Sequence, residues 1–226
     1  EYAAKTLKVD VLRFAMAIEY YNSQGQASEP IIKSYTTDAA TMKAALDEMV
    51  VAAIENDIYL IIDWHSHRAE SEQALAREFF SYAAQRYANV PNIIWEVYNE
   101  PVNTGWSTIK SYAESIIGKI REHSPNLALV GTSSWAQNPQ EANGSTVNQP
   151  NVAYVFHFYA GSHSVGSYGG RVTQALNAGN AVFISEWGTT DANGSGSVSS
   201  GESQNWISFM ETNKISNCNW SIRHAA

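Results

Sequence analysis

Seven short apolar runs, separated by stretches of helical periodicity, constrain this chain more than any other feature. The runs are Val11–Ile18, Tyr59–His65, Asn92–Asn99, Leu127–Ser134, Val152–Tyr159, Val182–Trp187 and Asn217–Ile222. They are rich in β-branched and aromatic residues, and most are apolar at nearly every position rather than at every second one. Such a strand must be covered on both faces, which is the pattern of a parallel sheet with crossover helices. The helical stretches are Asp38–Glu55, Ser71–Tyr87, Ser107–His123, Gly169–Ala178 and Ser203–Thr212. Thr37-Asp38 caps the first, Ser124-Pro125-Asn126 ends the third, and the chain opens in helix-like residues, Glu1–Lys8.

An open doubly wound sheet would usually bring a glycine-rich phosphate loop, and none is present. A closed ring is therefore expected: an α/β chain folded as a (β/α)8 TIM barrel, in one domain over residues 1–226. The count falls short of that fold. Seven strands stand where eight are needed, the chain stops almost at once after the seventh, and its 226 residues compare with about 250 for the fold. The expected barrel thus lacks a first strand and a final helix. Open edges on two buried strands invite pairing, so self-association through the gap is expected as well. Gly161–Gly170 and Asp191–Gly201 are read as loops, not linkers, because element signals resume directly after each.

Composition excludes several partners. With 44% hydrophobic and 16% charged residues the chain suits a single compact domain. A formal charge of −8 with no basic face argues against nucleic acid. No apolar run approaches the roughly 20 residues of a membrane span. Cys218 is the one cysteine, so no internal disulfide is expected, and it is read as a small core residue. There is no initiator methionine and no signal peptide, which is expected of a mature form or a fragment.

In a β/α barrel the active site lies at the carboxyl ends of the strands. Arg13, His65, Glu100, Ser134-Trp135, His157, Tyr159, Glu186 and Trp220 all fall there. Glu100 and Glu186 each follow an apolar run, and a carboxyl group at the mouth of a buried strand is costly unless it has work to do. Two carboxyls on rigid elements make an acid/base plus nucleophile pair for cleaving a glycosidic bond. Most of the seven tryptophans are explained by core packing, while indole faces also suit the apolar faces of pyranose rings. Asp63 and Glu96 lie inside strands and are read as buried, hydrogen-bonded structural groups.

Five ordered blocks carry a family resemblance: Ile61-Ile62-Asp63-Trp64-His65, Tyr98-Asn99-Glu100-Pro101, Phe156-His157-Phe158-Tyr159-Ala160-Gly161, Ser185-Glu186-Trp187-Gly188-Thr189 and Asn219-Trp220-Ser221. From about Leu12 to His224 the chain resembles family 5 glycoside hydrolases, and among them the bacterial endo-β-1,4-glucanases (cellulases). The resemblance implies Glu100 as general acid/base and Glu186 as nucleophile, with Asn99 hydrogen-bonding the sugar 2-hydroxyl. It implies that Arg13 and Tyr159 hold Glu186 ionised, that His65 and His157 line the cleaved-bond subsite, and that Trp220 forms its stacking floor with Trp135 on the leaving-group side. It also implies secretion, a β-glucan substrate and no cofactor. Glu100 is then expected to have the raised pKa and Glu186 the low one, with a bell-shaped pH–rate profile. The chain departs from the family where relatives continue with a lysine and an acidic residue, since here Ala225 and Ala226 follow His224. In the family the first strand supplies aromatic contacts to distal subsites, and that segment is expected to be missing here.

Other readings compete. β-Mannan is the alternative substrate, because the same carboxylates would serve it. His65-Ser66-His67, with His157 and His163, allows a metal-dependent hydrolase barrel, but that would leave the carboxylate pair unexplained. Asp191-Ala192-Asn193-Gly194-Ser195-Gly196 with Glu202 echoes a calcium loop, although no helix leads into it and a flexible loop is the simpler reading. Asn143-Gly144-Ser145, Asn193-Gly194-Ser195 and Asn219-Trp220-Ser221 match the glycosylation pattern, which matters only in a eukaryotic secretory host. A non-catalytic carbohydrate-binding remnant is the last alternative.

Overall fold

The structure, a computed structural model, describes residues 1–18 and 34–222. After a helical turn at Tyr2–Lys5 come seven strands: β1 (Val11–Ala17), β2 (Tyr59–His65), β3 (Ile93–Glu96), β4 (Ala128–Val130), β5 (Val152–Tyr159), β6 (Val182–Gly188) and β7 (Asn217–Asn219). Every pairing is parallel, and the strands follow one another in sequence order from β1 to β7. Five longer helices cover the outside: α1 (Ala39–Glu55), α2 (Gln73–Arg86), α3 (Trp106–Arg121), α4 (Val165–Asn177) and α5 (Ser200–Asn213). This is the expected barrel, nearly closed, with β1 and β7 facing each other across a seam. A cleft of about 670 Å³ fills the seam between Leu7–Arg13 on one side and Asn217–Ile222 on the other. The closing residues Arg223 to Ala226, including His224 of the resemblance, lie outside the described residues.

Strand geometry decides which residues reach the interior. Successive side chains of a strand point to opposite faces. On β2, Leu60, Ile62 and Trp64 face the helices, while Ile61, Asp63 and His65 face inward. On β5, Phe156 and Phe158 pack outward with Trp206 of α5, which leaves Val155, His157 and Tyr159 inside. Ile61, Ile94, Leu129, Ala153, Val155 and Phe183 close the barrel below the site. The chemistry therefore rests on a floor of apolar side chains.

One irregularity matters for function. Val155 pairs with Phe183, but His157 pairs with Glu186, so β6 carries one extra residue between them. A β-bulge of this kind re-aims the side chains that follow it. Phe183 points inward and Ile184 outward, and the inserted residue then lets Ser185 and Glu186 both turn into the barrel.

Expected and observed element limits differ where tertiary contacts intervene. The β3 ladder stops at Glu96 and β4 spans only Ala128–Val130, although two further bonds, Val97 N to Leu129 O and Gly131 N to Tyr98 O, keep the two chains together toward the site. β7 ends at Asn219, with the open seam beside it. The opening helix shrinks to Tyr2–Lys5, and Lys8 takes a left-handed φ of 59°. Helix α4 starts at Val165, earlier than Gly169, because Ser164 Oγ accepts from Ser167 N and Glu202 Oε1 accepts from Val165 N. That contact commits Glu202 Oε1 to a helix start.

Gly131 closes a tight approach after β4. A Cβ there would lie 2.3 Å from the Tyr98 carbonyl oxygen and 2.6 Å from that of Asn99, both backbone atoms that cannot swing aside. Gly131→Ala is expected to cost about 1–3 kcal/mol in urea unfolding, typical of overpacking, and to displace the Asn99-Glu100 segment.

Candidate active site

The barrel brings Arg13, His65, Asn99, Glu100, His157, Tyr159, Glu186 and Trp220 to one mouth, with Trp135 farther out in the loop after β4. Arg13 lies at the centre, fully committed: Nε donates to Glu96 Oε2 at 2.6 Å, Nη1 to Glu186 Oε2 at 2.7 Å, and Nη2 to Asn99 Oδ1 at 2.7 Å. Nη2 also lies 2.9 Å from Asp63 Oδ2. A guanidinium amid three carboxylates stays cationic, and its pKa is raised although burial works against it. Because Arg13 can only donate, Asn99 must turn its oxygen toward Arg13, which leaves the amide nitrogen as a donor for another partner.

Glu186 is 6% exposed and accepts from Tyr159 Oη at 2.6 Å as well as from Arg13. Burial alone would raise its pKa. Arg13 first, then His157, His65 and the Tyr159 hydroxyl, outweigh burial and hold the carboxyl at about 2. Tyr159 moves the other way, since burial and the adjacent Glu186 carboxylate push its hydroxyl up.

Glu100 sits in different company. Its Oε1 lies 2.8 Å from His157 Nδ1, and its backbone carbonyl lies 3.1 Å from His67 Nδ1. One ligand atom from each of Glu100, His157 and Glu186 falls within 4.8 Å of the others. Among the described residues this is the one set of three such groups close enough to share a metal ion, and it does not include His65 or His67. His65 is instead bound to Asp63, whose Oδ2 lies 2.7 Å from Nδ1 and overcomes burial to raise the imidazole pKa. His163 is taken up by the Tyr159 backbone and Gln137, so the structure does not gather the histidines of the metal-hydrolase reading.

Two exposed tryptophans flank the pair. Trp220 is 43% exposed and stacks parallel to His65, with ring centroids 5.8 Å apart and planes 2° from parallel. Trp135, 48% exposed, stands farther out in a left-handed turn after β4, where Ser134, Trp135 and Ala136 have φ of 55°, 58° and 55°. Three consecutive non-glycine residues in that region carry strain, of a kind that clusters at functional sites. Its backbone N donates to the Pro101 carbonyl at 3.0 Å, which ties the turn to the Glu100 loop.

Asp63, Glu96 and Ser185 were not among the expected site residues, yet all three bond directly to members of the site. A sequence signal existed for two of them. A charged residue inside an apolar run must find a partner or pay heavily in desolvation.

The cellulase family, described as glycosyl hydrolase family 5, matches residues 2–226. The chain belongs to glycosyl hydrolase family 5. Endoglucanase Z of Dickeya dadantii is 46% identical over 220 residues, covering 96% of this chain and 49% of that protein. Endoglucanase A of Evansella cellulosilytica is 40% identical over 223 residues, covering 96% and 43%. A structure from Cytophaga hutchinsonii superimposes with a TM-score of 0.90 at 40% identity, covering 98% of this chain and 69% of that one. The catalytic domain of a Thermobifida fusca endoglucanase gives 0.88 at 29% identity, covering 97% and 71%. This family 5 chain spans about half the length of the curated relatives it matches.

Proposed function

We propose that this family 5 chain hydrolyses internal β-1,4-glucosidic bonds with retention of configuration. The supporting observation is the pair Glu100 and Glu186, with oxygens within 4.8 Å of each other and Glu186 held ionised by Arg13. Retaining enzymes hold their two carboxyls about 5–5.5 Å apart, while inverting ones leave about 6.5–9.5 Å for a water.

Glu186, held ionised by Arg13, attacks the anomeric carbon as nucleophile. Glu100 gives its proton to the glycosidic oxygen, so the leaving chain departs as an alcohol and the sugar remains esterified to Glu186. Glu100 then takes a proton from water, and the resulting hydroxide displaces Glu186 with a second inversion. Asn99, its oxygen fixed by Arg13, offers its amide N–H to the 2-hydroxyl. Trp220 offers an indole face as the floor of the cleaved-bond subsite, and Trp135 a second face on the leaving-group side. His65 and His157 line that subsite. A variant of the Thermobifida fusca endoglucanase was solved in complex with cellotetraose, which supports a β-1,4-glucan as substrate here. A polymer of that size cannot enter a cell, so the activity is placed outside it.

Carboxymethylcellulose and mannan, offered side by side, test this reading. Glu100→Gln and Glu186→Gln are each expected to lose glucan hydrolysis by about 10²-fold or more. Wild-type activity on mannan alone would move the substrate, and full activity in either variant would overturn the assignment. The edges of β1 and β7, which pair with no further strand among the described residues, are the surface through which a second copy would add, and a monomeric mass in light scattering would rule that out.

A further inference from the structure

The loop that carries Glu100 is gripped on both sides by a single carboxylate. Glu70, partly buried in the short 3₁₀ turn Ala69–Glu72 between β2 and α2, turns its two oxygens to two different donors. Tyr98 Oη, directly before Asn99-Glu100, donates to Oε2, and Thr104 Oγ1, just before α3, donates to Oε1 at 2.9 Å. Tyr98 is fully buried, its ring edge-on to that of Tyr112 with centroids 5.4 Å apart. Burial and the adjacent Glu70 carboxylate push its hydroxyl pKa up, so it stays a donor. A hydrogen bond onto a carboxylate is roughly twice as strong as one between neutral groups.

Between these anchors Glu100 itself has looser support. Its backbone N donates to the Ser66 carbonyl at 3.4 Å, and His67 Nδ1 faces its carbonyl at 3.1 Å. His67 is exposed, so that second bond competes with water. Ser66 and His67 lie in the same loop as Glu70, and Tyr98 Oη also comes within 3.3 Å of the His67 carbonyl. The contacts that place the Glu100 backbone therefore depend on where Glu70 holds this loop.

We propose that Glu70 is a positioning residue that sets the reach of Glu100 to the glycosidic oxygen. This rests on the reading of Glu100 as general acid. Glu70 touches no reacting atom and acts through Tyr98 and Thr104, one on each side of the Asn99-Glu100-Pro101 segment. An amide in its place has one oxygen for two donors, and its nitrogen accepts from neither. Glu70→Gln thus frees one end of the segment at nearly constant volume. A misplacement of about 1 Å caused far from the chemistry can cost about 10²-fold in rate.

The test compares kcat/KM on cellotetraose with kcat/KM on 2,4-dinitrophenyl β-cellobioside, whose leaving group departs without a proton. Glu70→Gln is expected to lose about 10- to 100-fold on cellotetraose and less than about threefold on the aryl glycoside. Tyr98→Phe, which keeps the buried ring and removes only the hydroxyl, is expected to show the same split. The double variant is expected to lose clearly less than the product of the two single losses, because both substitutions remove one bond. Equal losses on the two substrates, no loss in either single variant, or a double variant at the full product would overturn the positioning role. Glu100→Gln run in parallel separates the two claims. If it shows no split, Glu100 is not the acid, and the reading beneath the proposal fails. If it shows the split while Glu70→Gln and Tyr98→Phe do not, Glu100 stands as the acid and Glu70 is not what positions it.

Discussion

Glu186→Ala is expected to slow hydrolysis of cello-oligosaccharides by roughly 10⁴-fold or more, the scale seen when a member of a concerted catalytic group is removed. Arg13 and Tyr159 each spend a hydrogen bond on Glu186. The variant also leaves a space on one face of the sugar. Azide entering that space, with dinitrophenyl β-cellobioside as substrate, is expected to restore turnover and give the α-glycosyl azide. Glu100→Ala is expected to give the β-glycosyl azide, since there the intermediate forms and azide merely replaces water. Rescue with the stereochemistry exchanged between the two variants would reverse the roles.

Arg13→Met carries the largest expected effect on stability. It leaves Asp63, Glu96 and Glu186 buried without their shared cation, and breaking a buried ion pair costs about 3–5 kcal/mol. Against a typical total of about 5–15 kcal/mol, the variant should unfold at far lower urea concentration than the wild type. The pH dependence has a definite sign. Glu186 is held at about 2, below the ordinary carboxylate value near 4.3, so its pairing stabilises the fold fully above that value. The contribution is lost as pH falls toward 2. Arg13→Met removes that window for Glu186 and moves the acid limb of activity upward. Unchanged urea midpoints at neutral pH would show that Arg13 does not hold the three carboxylates as described.

The strands were legible wherever the run was apolar throughout. Tyr59–His65 and Val152–Tyr159 have the expected limits, because burial on both faces leaves no ambiguity of face. The start of α4 was not legible. Its first turn, Val165-Gly166-Ser167-Tyr168, has no helical periodicity, and a glutamate 37 residues away supplies the bond that fixes it. Glu100 and Glu186 could be found because a carboxyl group after an apolar strand is costly. The link between Ser185, Glu96 and His157 could not, since it joins three strands and depends on a one-residue bulge that no sequence pattern marks. Asp63 and Glu96 were recognised as buried and bonded, but their common partner, Arg13, emerges only once β1, β2 and β3 lie side by side.

The most direct test of the carboxylate pair is proton NMR of the anomeric signals during cellotetraose hydrolysis. The β-anomer of the new reducing end should appear first, with the α-anomer following by mutarotation. An α-anomer formed first would mean a single displacement by water, and Glu186 would not be the nucleophile.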